Sequence, residues 1–271
     1  MRRKKVPVRF TGQHFTINPI VIEDAIRFAK LTRNDITLDI GAGRGSITTS
    51  LARVCSKIIA IEKDRDLVSF LRKKFTGSNK INVIEADIRQ YHLPEMPFKT
   101  VSNIPYHITA DILKRLMFEY AEHFRGGALV MQLESAQKLV MKRIFNPYTI
   151  LYRTFFDIKL MYEVPPGSFF PPPKVRSALI RIERKEMVGI CITQKKQYLD
   201  FLIFMLKFPN ESIRVILKTI FRKQQVREVS NQYQINPDSD VVDLSVYQWA
   251  GCFRYMVEKV PRQYHPRSWH G

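Results

Sequence analysis

Apolar positions along the chain alternate between two rhythms. Thr37 to Ile40, Lys57 to Glu62 and Ile81 to Asp87 are short apolar runs that read as buried strands. Between them, Ser46 to Val54 and Asp64 to Phe75 carry apolar residues at helical spacing. Strands over Thr100 to Ile104 and Ala128 to Leu133 continue the series, and the helix between these two has Thr109 as its cap and Ile112, Leu113, Leu116 and Met117 as its inner face. Such alternation predicts right-handed βαβ crossovers and a mostly parallel sheet covered on both faces. Upstream, Asn18 as N-cap and Pro19 at the first helical position open a helix with Ile22, Ile26 and Ala29 on one side. Downstream, strands over Ile158 to Val164 and Ala178 to Glu183 flank a run from Pro165 to Pro173 that is too rich in proline for a helix or a central strand and so reads as a stiff loop.

Beyond about Lys185 the strand patterns stop. Tyr198 to Lys207, Ile213 to Arg222 and Val246 to Val257 read as helices. The expected organisation is a basic arm over 1–11, an α/β domain over 12–185 and a small all-helical domain over 186–271.

Charge narrows the range of partners. Forty-four Lys and Arg stand against 25 Asp and Glu, a net +19, which predicts attraction to a polyanion, with nucleic acid in first place. No apolar stretch reaches bilayer-spanning length, and Met1-Arg2-Arg3-Lys4-Lys5 is not followed by a signal-peptide core, so the expected location is the cytoplasm. Cys55, Cys191 and Cys252 are widely spaced, with no CxxC pair. They read as small core residues, and no metal site is expected.

Candidate chemistry gathers where an open α/β sheet binds its ligand, beyond the carboxyl ends of the strands. Thr37-Leu38-Asp39-Ile40-Gly41-Ala42-Gly43-Arg44-Gly45-Ser46 runs from strand through alternate glycines into a helix, a turn that exposes bare backbone to a ligand. The last glycine of a dinucleotide fingerprint is missing, with Ser46 in its place, which weakens a pyrophosphate reading. Glu62 ends the second strand, Asp87 the third, and Asn103 lies at the end of the fourth. Each alone is an ordinary strand terminator or turn residue. Together, glycines for close approach, one carboxylate for a ribose, a second for an adenine amino group and an Asn beside the reacting group describe S-adenosylmethionine, which has no phosphates.

Asn103-Ile104-Pro105-Tyr106 supplies the reacting end. An amine on a nucleobase ring is a poor nucleophile because its lone pair is drawn into the aromatic system. The Asn103 side-chain oxygen and the Ile104 carbonyl, each accepting one N–H, would turn that lone pair toward a sulfonium methyl. Pro105 stiffens the turn without a competing donor, and Tyr106 offers a face on which an extruded base can stack. No cysteine lies in a plausible catalytic loop, so a base nitrogen is a better target than pyrimidine carbon 5.

Gln13-His14-Phe15-Thr16, Asp39 to Gly45, Glu62, Asp87, Asn103 to Tyr106 and Phe169 to Ser177 stand in an order that resembles the ribosomal RNA adenine-N6 methyltransferases. Arg9-Phe10-Thr11-Gly12-Gln13-His14-Phe15-Thr16 and Asn146-Pro147-Tyr148-Thr149 are most similar to the erythromycin-resistance (Erm) branch. The resemblance implies a Rossmann-like catalytic domain and a small helical C-terminal domain. It also implies S-adenosylmethionine as donor and dimethylation of one adenine in the peptidyl-transferase loop of 23S rRNA, which confers resistance to macrolide, lincosamide and streptogramin B antibiotics; apart from the resemblance, the chain is expected to be a monomer.

Carried over residue by residue, the cofactor contacts are His14, Thr16, Gly41, Gly43, Glu62, Asp87 and Asn103; His14 stands where relatives often have Asn. Tyr106 and one of Phe169 or Phe170, with Phe170 preferred, would sandwich the base. RNA phosphates fall to Arg2, Arg3, Lys4, Lys5 and Arg9 and to a helix bearing Arg214, Lys218 and Arg222 at four-residue spacing opposite Ile213, Ile216, Leu217 and Ile220. Two alternatives stand beside this. One is the housekeeping 16S rRNA branch, where Asn-Leu-Pro-Tyr and Gln-Asn-Phe-Leu are expected instead. The other is a nucleic-acid-binding factor that keeps the fold without turnover.

Overall fold

The structure is a computed structural model and describes residues 15, 16, 18–186 and 188–267. The expected elements over 18–85 are present with small shifts at their ends. Helix α1 (Pro19–Phe28) is capped by Asn18, whose Oδ1 accepts the Ile20 N–H at 3.0 Å. Strand β2 (Ile36–Ile40) follows the two-residue β1 (Phe15–Thr16). Then come α2 (Ser46–Leu51), β3 (Lys57–Glu62), α3 (Arg65–Lys74) and β4 (Ile81–Glu85). Helix α2 stops at Leu51 rather than Val54. Asp64 caps α3, accepting from the N–H groups of Asp66 and Leu67 at 3.0 Å.

Strand β5 (Phe98–Asn103) leads through a 3₁₀ turn (Tyr106–Ile108) into α4 (Thr109–Lys114), a π-helical turn (Arg115–Glu119) and β6 (Phe124–Gln132). Thr109 does not act as the expected accepting cap. It is already the first residue of α4, and its hydroxyl donates to the Tyr106 carbonyl at 2.9 Å. Two helices absent from the sequence reading come next, α5 (Leu133–Val140) and α6 (Pro147–Phe155), the latter capped by Asn146. Strand β7 (Phe156–Val164), the short β8 (Phe169–Phe170) and β9 (Ser177–Arg184) complete the strands. The proline-rich run between β7 and β9 is the expected loop, with β8 set within it.

The sheet order is β4-β3-β2-β5-β6-β9-β7, parallel throughout except for β9, which runs against both its neighbours. Strand order reverses at β2, so the crevice for a ligand opens at the carboxyl ends of β2 and β5. The ladder between these two strands stops at Leu38 and Thr100, although both strands run on. Past that point the Ile40 N–H is satisfied by the Ser102 hydroxyl at 2.7 Å. A side chain there does the work of a backbone carbonyl, and the strands can part.

Apolar side chains cover both faces. Val21, Ile22 and Ala25 of α1 and Ile47 and Leu51 of α2 pack on Ile58, Val101, Ala128 and Leu179. On the other face Leu38, Ile40, Ile61, Leu129 and Met131 meet α4, α5 and α6, and that core continues into the C-terminal helices. These are α7 (Lys195–Met205), α8 (Ile213–Leu217), α9 (Lys223–Gln232) and α10 (Val246–Lys259). Helix α6 joins the two parts: the Thr154 and Tyr198 hydroxyls meet at 3.1 Å, and Phe155 packs edge-on against Tyr198.

The expected helix over Ile213 to Arg222 is broken. It ends at Leu217, and Arg222 is the N-cap residue of α9, its N–H donating to Gln225 Oε1 at 2.9 Å. Arg214, Lys218 and Arg222 therefore do not form one helical stripe, and Arg214 is paired with Asp238 at 3.0 Å. Cys55 and Cys252 are buried as expected, whereas Cys191 is exposed at the start of a 3₁₀ turn before α7. Among the described residues no group of His, Cys, Asp and Glu could hold a metal ion, and no helix is long and apolar enough to cross a membrane.

Candidate active site

Beyond β2 the glycine turn is fastened to β3. The N–H groups of Gly41 and Ala42 both donate to the Ile61 carbonyl, at 2.8 and 3.1 Å. The next N–H, that of Gly43, donates to Glu62 Oε2 at 2.9 Å. Glu62 Oε1 accepts from the N–H groups of Lys63 and Asp64, at 2.9 and 3.0 Å. The carboxyl is 5% exposed, and three backbone amides satisfy its oxygens, so its burial leaves no oxygen without a hydrogen bond. Gly43 has φ +56°, and a Cβ there would lie 2.6 Å from the Phe15 ring. Glycine is required at that position twice over, by backbone angle and by the ring packed on it.

Gly41, Gly43, Glu62, Asp87, Asn103, Ile104, Pro105 and Tyr106 line one cleft of about 780 Å³, with Phe15 at its edge. Every cofactor residue expected from the carboxyl ends of the strands is in that lining. Thr16 is not. It borders a separate cavity of about 30 Å³, shared with Asp39 and Ser46, whose lining has Phe15, Gly41 and Asn103 in common with the cleft. The Thr16 hydroxyl oxygen is buried there without a hydrogen-bond partner among the described residues. His14 lies outside the described residues, as do Arg2, Arg3, Lys4, Lys5 and Arg9.

Asp87 is occupied in a way the sequence reading missed. Arg89 grips its carboxylate, with Nη2 on Oδ2 at 2.6 Å, Nε on Oδ1 at 3.0 Å, and its own N–H on Oδ1 at 2.9 Å. Those bonds hold the Asp87 carboxyl at about 2, well below its ordinary value. The i, i+2 spacing of Asp and Arg at a strand end was the available signal. Asp39 is the opposite case. It is 1% exposed under the glycine turn, and burial pushes its carboxyl up to about 7 despite the Thr48 hydroxyl donating to it at 2.6 Å.

At the fourth strand end, the Ile104 N–H donates to the Val130 carbonyl at 3.0 Å, and Asn103 and Tyr106 are half-buried. The Tyr106 hydroxyl meets the Ser177 hydroxyl at 2.6 Å. Ser177 starts β9, 71 residues away, and no local pattern marks it. Phe170 is 57% exposed and does not line the cleft, whereas Phe169 is 2% exposed and packed in the core. Phe170 is nevertheless tied to the cleft's edge, because β8 pairs antiparallel with β1 and sets Phe170 opposite Phe15.

The fit to S-adenosylmethionine rests on this geometry. An acid held beside the glycine turn, a second acid one strand further, a glycine turn that tolerates no Cβ and an unsatisfied buried hydroxyl beside it meet the needs of a ribose, an adenine and a charged amino acid tail.

Comparison with known proteins gives the same answer. The family described as ribosomal RNA adenine dimethylase matches residues 7–258. An rRNA adenine N-6-methyltransferase of Bacteroides fragilis is 49% identical over 266 residues, covering 98% of this chain and all of the relative. A ribosomal RNA small subunit methyltransferase A of Rippkaea orientalis is 34% identical, with 94% of this chain and 98% of that one covered. The crystal structure of the 23S rRNA methyltransferase ErmE shares the fold, with a TM-score of 0.79 at 24% identity over 90% of this chain and 99% of that one. The sheet, the cleft and all but the last residue of the C-terminal helices are inside the matched span: the chain belongs to the ribosomal RNA adenine dimethylase family and is an rRNA adenine N6-methyltransferase that takes its methyl group from S-adenosylmethionine.

Proposed function

We propose that the chain dimethylates one adenine in the peptidyl-transferase loop of 23S rRNA, in the cytoplasm and as a monomer, and so confers resistance to macrolide, lincosamide and streptogramin B antibiotics. The observation that carries the chemistry is the convergence of the glycine turn, Glu62, Asp87 and Asn103 to Tyr106 on one cleft. Support for the 23S branch comes from Ile104, where the 16S branch is expected to have Leu, and from the higher identity to the Bacteroides relative than to the small-subunit methyltransferase, 49% against 34%.

Bound in the cleft, S-adenosylmethionine supplies an electrophilic methyl carbon on a sulfonium. The backbone at Gly41 and Gly43 would admit it closely, Glu62 Oε2, which accepts a single N–H from Gly43, would take a ribose hydroxyl, and Asp87 would take the adenine amino group. Thr16 and His14 serve the amino acid end. On the substrate side, the Asn103 oxygen and the Ile104 carbonyl each accept one N–H of the target amine and turn its lone pair outward. Alignment of that kind is the main contribution such a site makes to an in-line displacement. Pro105 holds the turn. Tyr106 presents its face to the extruded base, a stacking worth roughly 1–3 kcal/mol, and Phe170 closes on the other side. The methylated nitrogen, cationic as it forms, releases its proton to water, so no strong base is required. The basic arm and the helical part over 186–271 hold phosphates.

Incubation with labelled S-adenosylmethionine and either protein-free 23S rRNA, 16S rRNA or small subunits tests the assignment. N6-methylated adenine in 23S rRNA is the expected product. Label confined to 16S rRNA in small subunits would instead establish the second reading, which the Rippkaea relative favours.

A further inference from the structure

The connection between α5 and α6, Met141-Lys142-Arg143-Ile144-Phe145-Asn146, displays side chains that the fold does not need there. Phe145 is 51% exposed and Met141 43%. This exposure is not fraying, because the loop is fastened on three sides. Arg143 reaches the C-terminal helical part, with Nη2 on Asp240 Oδ2 at 2.5 Å and Nε on Asp243 Oδ1 at 3.0 Å. The Ile144 N–H donates to the Val242 carbonyl at 3.2 Å, and the Ile144 side chain is buried. Arg153 Nη1 donates to the Met141 carbonyl at 2.6 Å.

An exposed aromatic on a rigid loop fits a protein partner, a lipid surface or a nucleobase. Its surroundings choose between them. Residues 138–145 carry three cations and no acid; Asp240 and Asp243 pair with Arg143, which leaves Lys138 and Lys142 without an ion pair among the described residues. Lys142 is exposed, and the Arg143 guanidinium lies 5.8 Å from the Phe145 ring centroid. Cations beside a displayed ring are the makings of a stacking platform for single-stranded nucleic acid.

Position agrees with the charge. Asn103 is in register with Val130 on β6, and α5 leaves β6 at Leu133, so the helix starts at the sheet end where the cleft opens. Eight helical residues span about 12 Å, a distance that two or three nucleotides cover.

We propose that this loop is a second contact for the substrate RNA, with Phe145 stacking on an unpaired base that flanks the target adenine and Lys142 meeting the adjoining phosphate. The inference rests on the chain's methylating RNA and not on which rRNA it chooses. Ultraviolet crosslinking of the full chain to protein-free 23S rRNA and, in parallel, to 16S rRNA in small subunits, followed by digestion and mass spectrometry, should give a nucleotide adduct on the peptide containing Phe145 with whichever RNA the chain methylates. In steady-state methylation, Phe145→Ala should raise KM for RNA about tenfold, Phe145→Trp should retain binding, and the change should fall on KM rather than kcat. Lys142→Ala should lower the slope of log KM against log salt by about 0.7.

A Phe145→Ala enzyme with unchanged KM, or crosslinks elsewhere with none on this peptide, would overturn the proposal. Asn103→Ala, crosslinked in parallel, separates the two readings. Full turnover in that variant removes the cleft chemistry and leaves the loop contact standing.

Discussion

The hydroxyls of Tyr106 and Ser177 meet at 2.6 Å, joining the turn after β5 to the first residue of β9. Burial raises the Tyr106 phenol above its ordinary value, so it stays a neutral partner across the working range. The bond anchors the far end of a ring whose face is assigned to the target base and so sets the direction of the ring axis. Ser177→Ala should therefore slow methyl transfer roughly three- to tenfold, the equivalent of about 0.5–1.5 kcal/mol for one neutral hydrogen bond. In a Tyr106→Phe background the same substitution should cost nothing more. A double-mutant cycle on kcat/KM checks this, and additive losses would show that Ser177 acts elsewhere.

Gly43 and Gly77 both have left-handed backbones, at φ +56° and +80°, but only Gly43 faces a neighbour, the Phe15 ring. An L-residue at such an angle costs roughly 1–2 kcal/mol, so both alanine variants should lose stability. Only Gly43→Ala should also lose S-adenosylmethionine binding, because the added methyl displaces Phe15 and the Gly43 N–H that steadies Glu62. Thermal melting paired with calorimetric titration of the cofactor separates the two effects.

Asp39 should make stability depend on pH. Its carboxyl is pushed up to about 7 by burial, against about 3.9 in an unfolded chain. Between those values the native state holds a proton that the unfolded state has lost, so stability falls as pH rises from about 4 to about 7 and then levels off. The total change is on the order of a few kcal/mol. Asp39→Asn should flatten that slope in denaturant titrations across this window. An unchanged slope would mean that the carboxyl titrates normally.

Asp87 predicts the reverse. Arg89 holds its carboxyl at about 2, so the charge is present at every pH above about 4 and lost only as pH falls through about 2. Cofactor affinity should then show no titration attributable to Asp87 between pH 5 and 9. Asp87→Asn should weaken binding roughly ten- to a hundredfold, matching the roughly 1.5–3 kcal/mol of a charge-assisted hydrogen bond. Equilibrium dialysis across that pH range reads both.

What the sequence reveals of this protein is what short-range pattern encodes. Strands β2 to β6 announce themselves as apolar runs, and the glycine turn and the acids at strand ends lie within a few residues of the elements that place them. Contacts between distant segments leave no such trace: Ser177 on Tyr106, β1 on β8, and Arg143 on Asp240 and Asp243 each join residues far apart in the chain. Helix α9 escapes notice because only Val226, Val229 and Ser230 of its ten residues are buried, too few to set a rhythm. Helix α6 opens with Asn146-Pro147, the same pair that opens α1 as Asn18-Pro19, and could have been read from that cap. The Arg214 to Arg222 stripe fails for a related reason. Periodicity runs on past Leu217, but Arg222 with Gln225 begins a new helix.

The proposed chemistry depends on Asn103 aiming an adenine amine at the methyl donor. Single-turnover methyl transfer with labelled S-adenosylmethionine and saturating protein-free 23S rRNA, comparing the native chain with Asn103→Ala, measures it directly. The variant should bind RNA yet transfer methyl at least a hundredfold more slowly, on the scale of losing one oriented hydrogen-bonding group from a transition state, roughly 3 kcal/mol. Transfer at the native rate would contradict it.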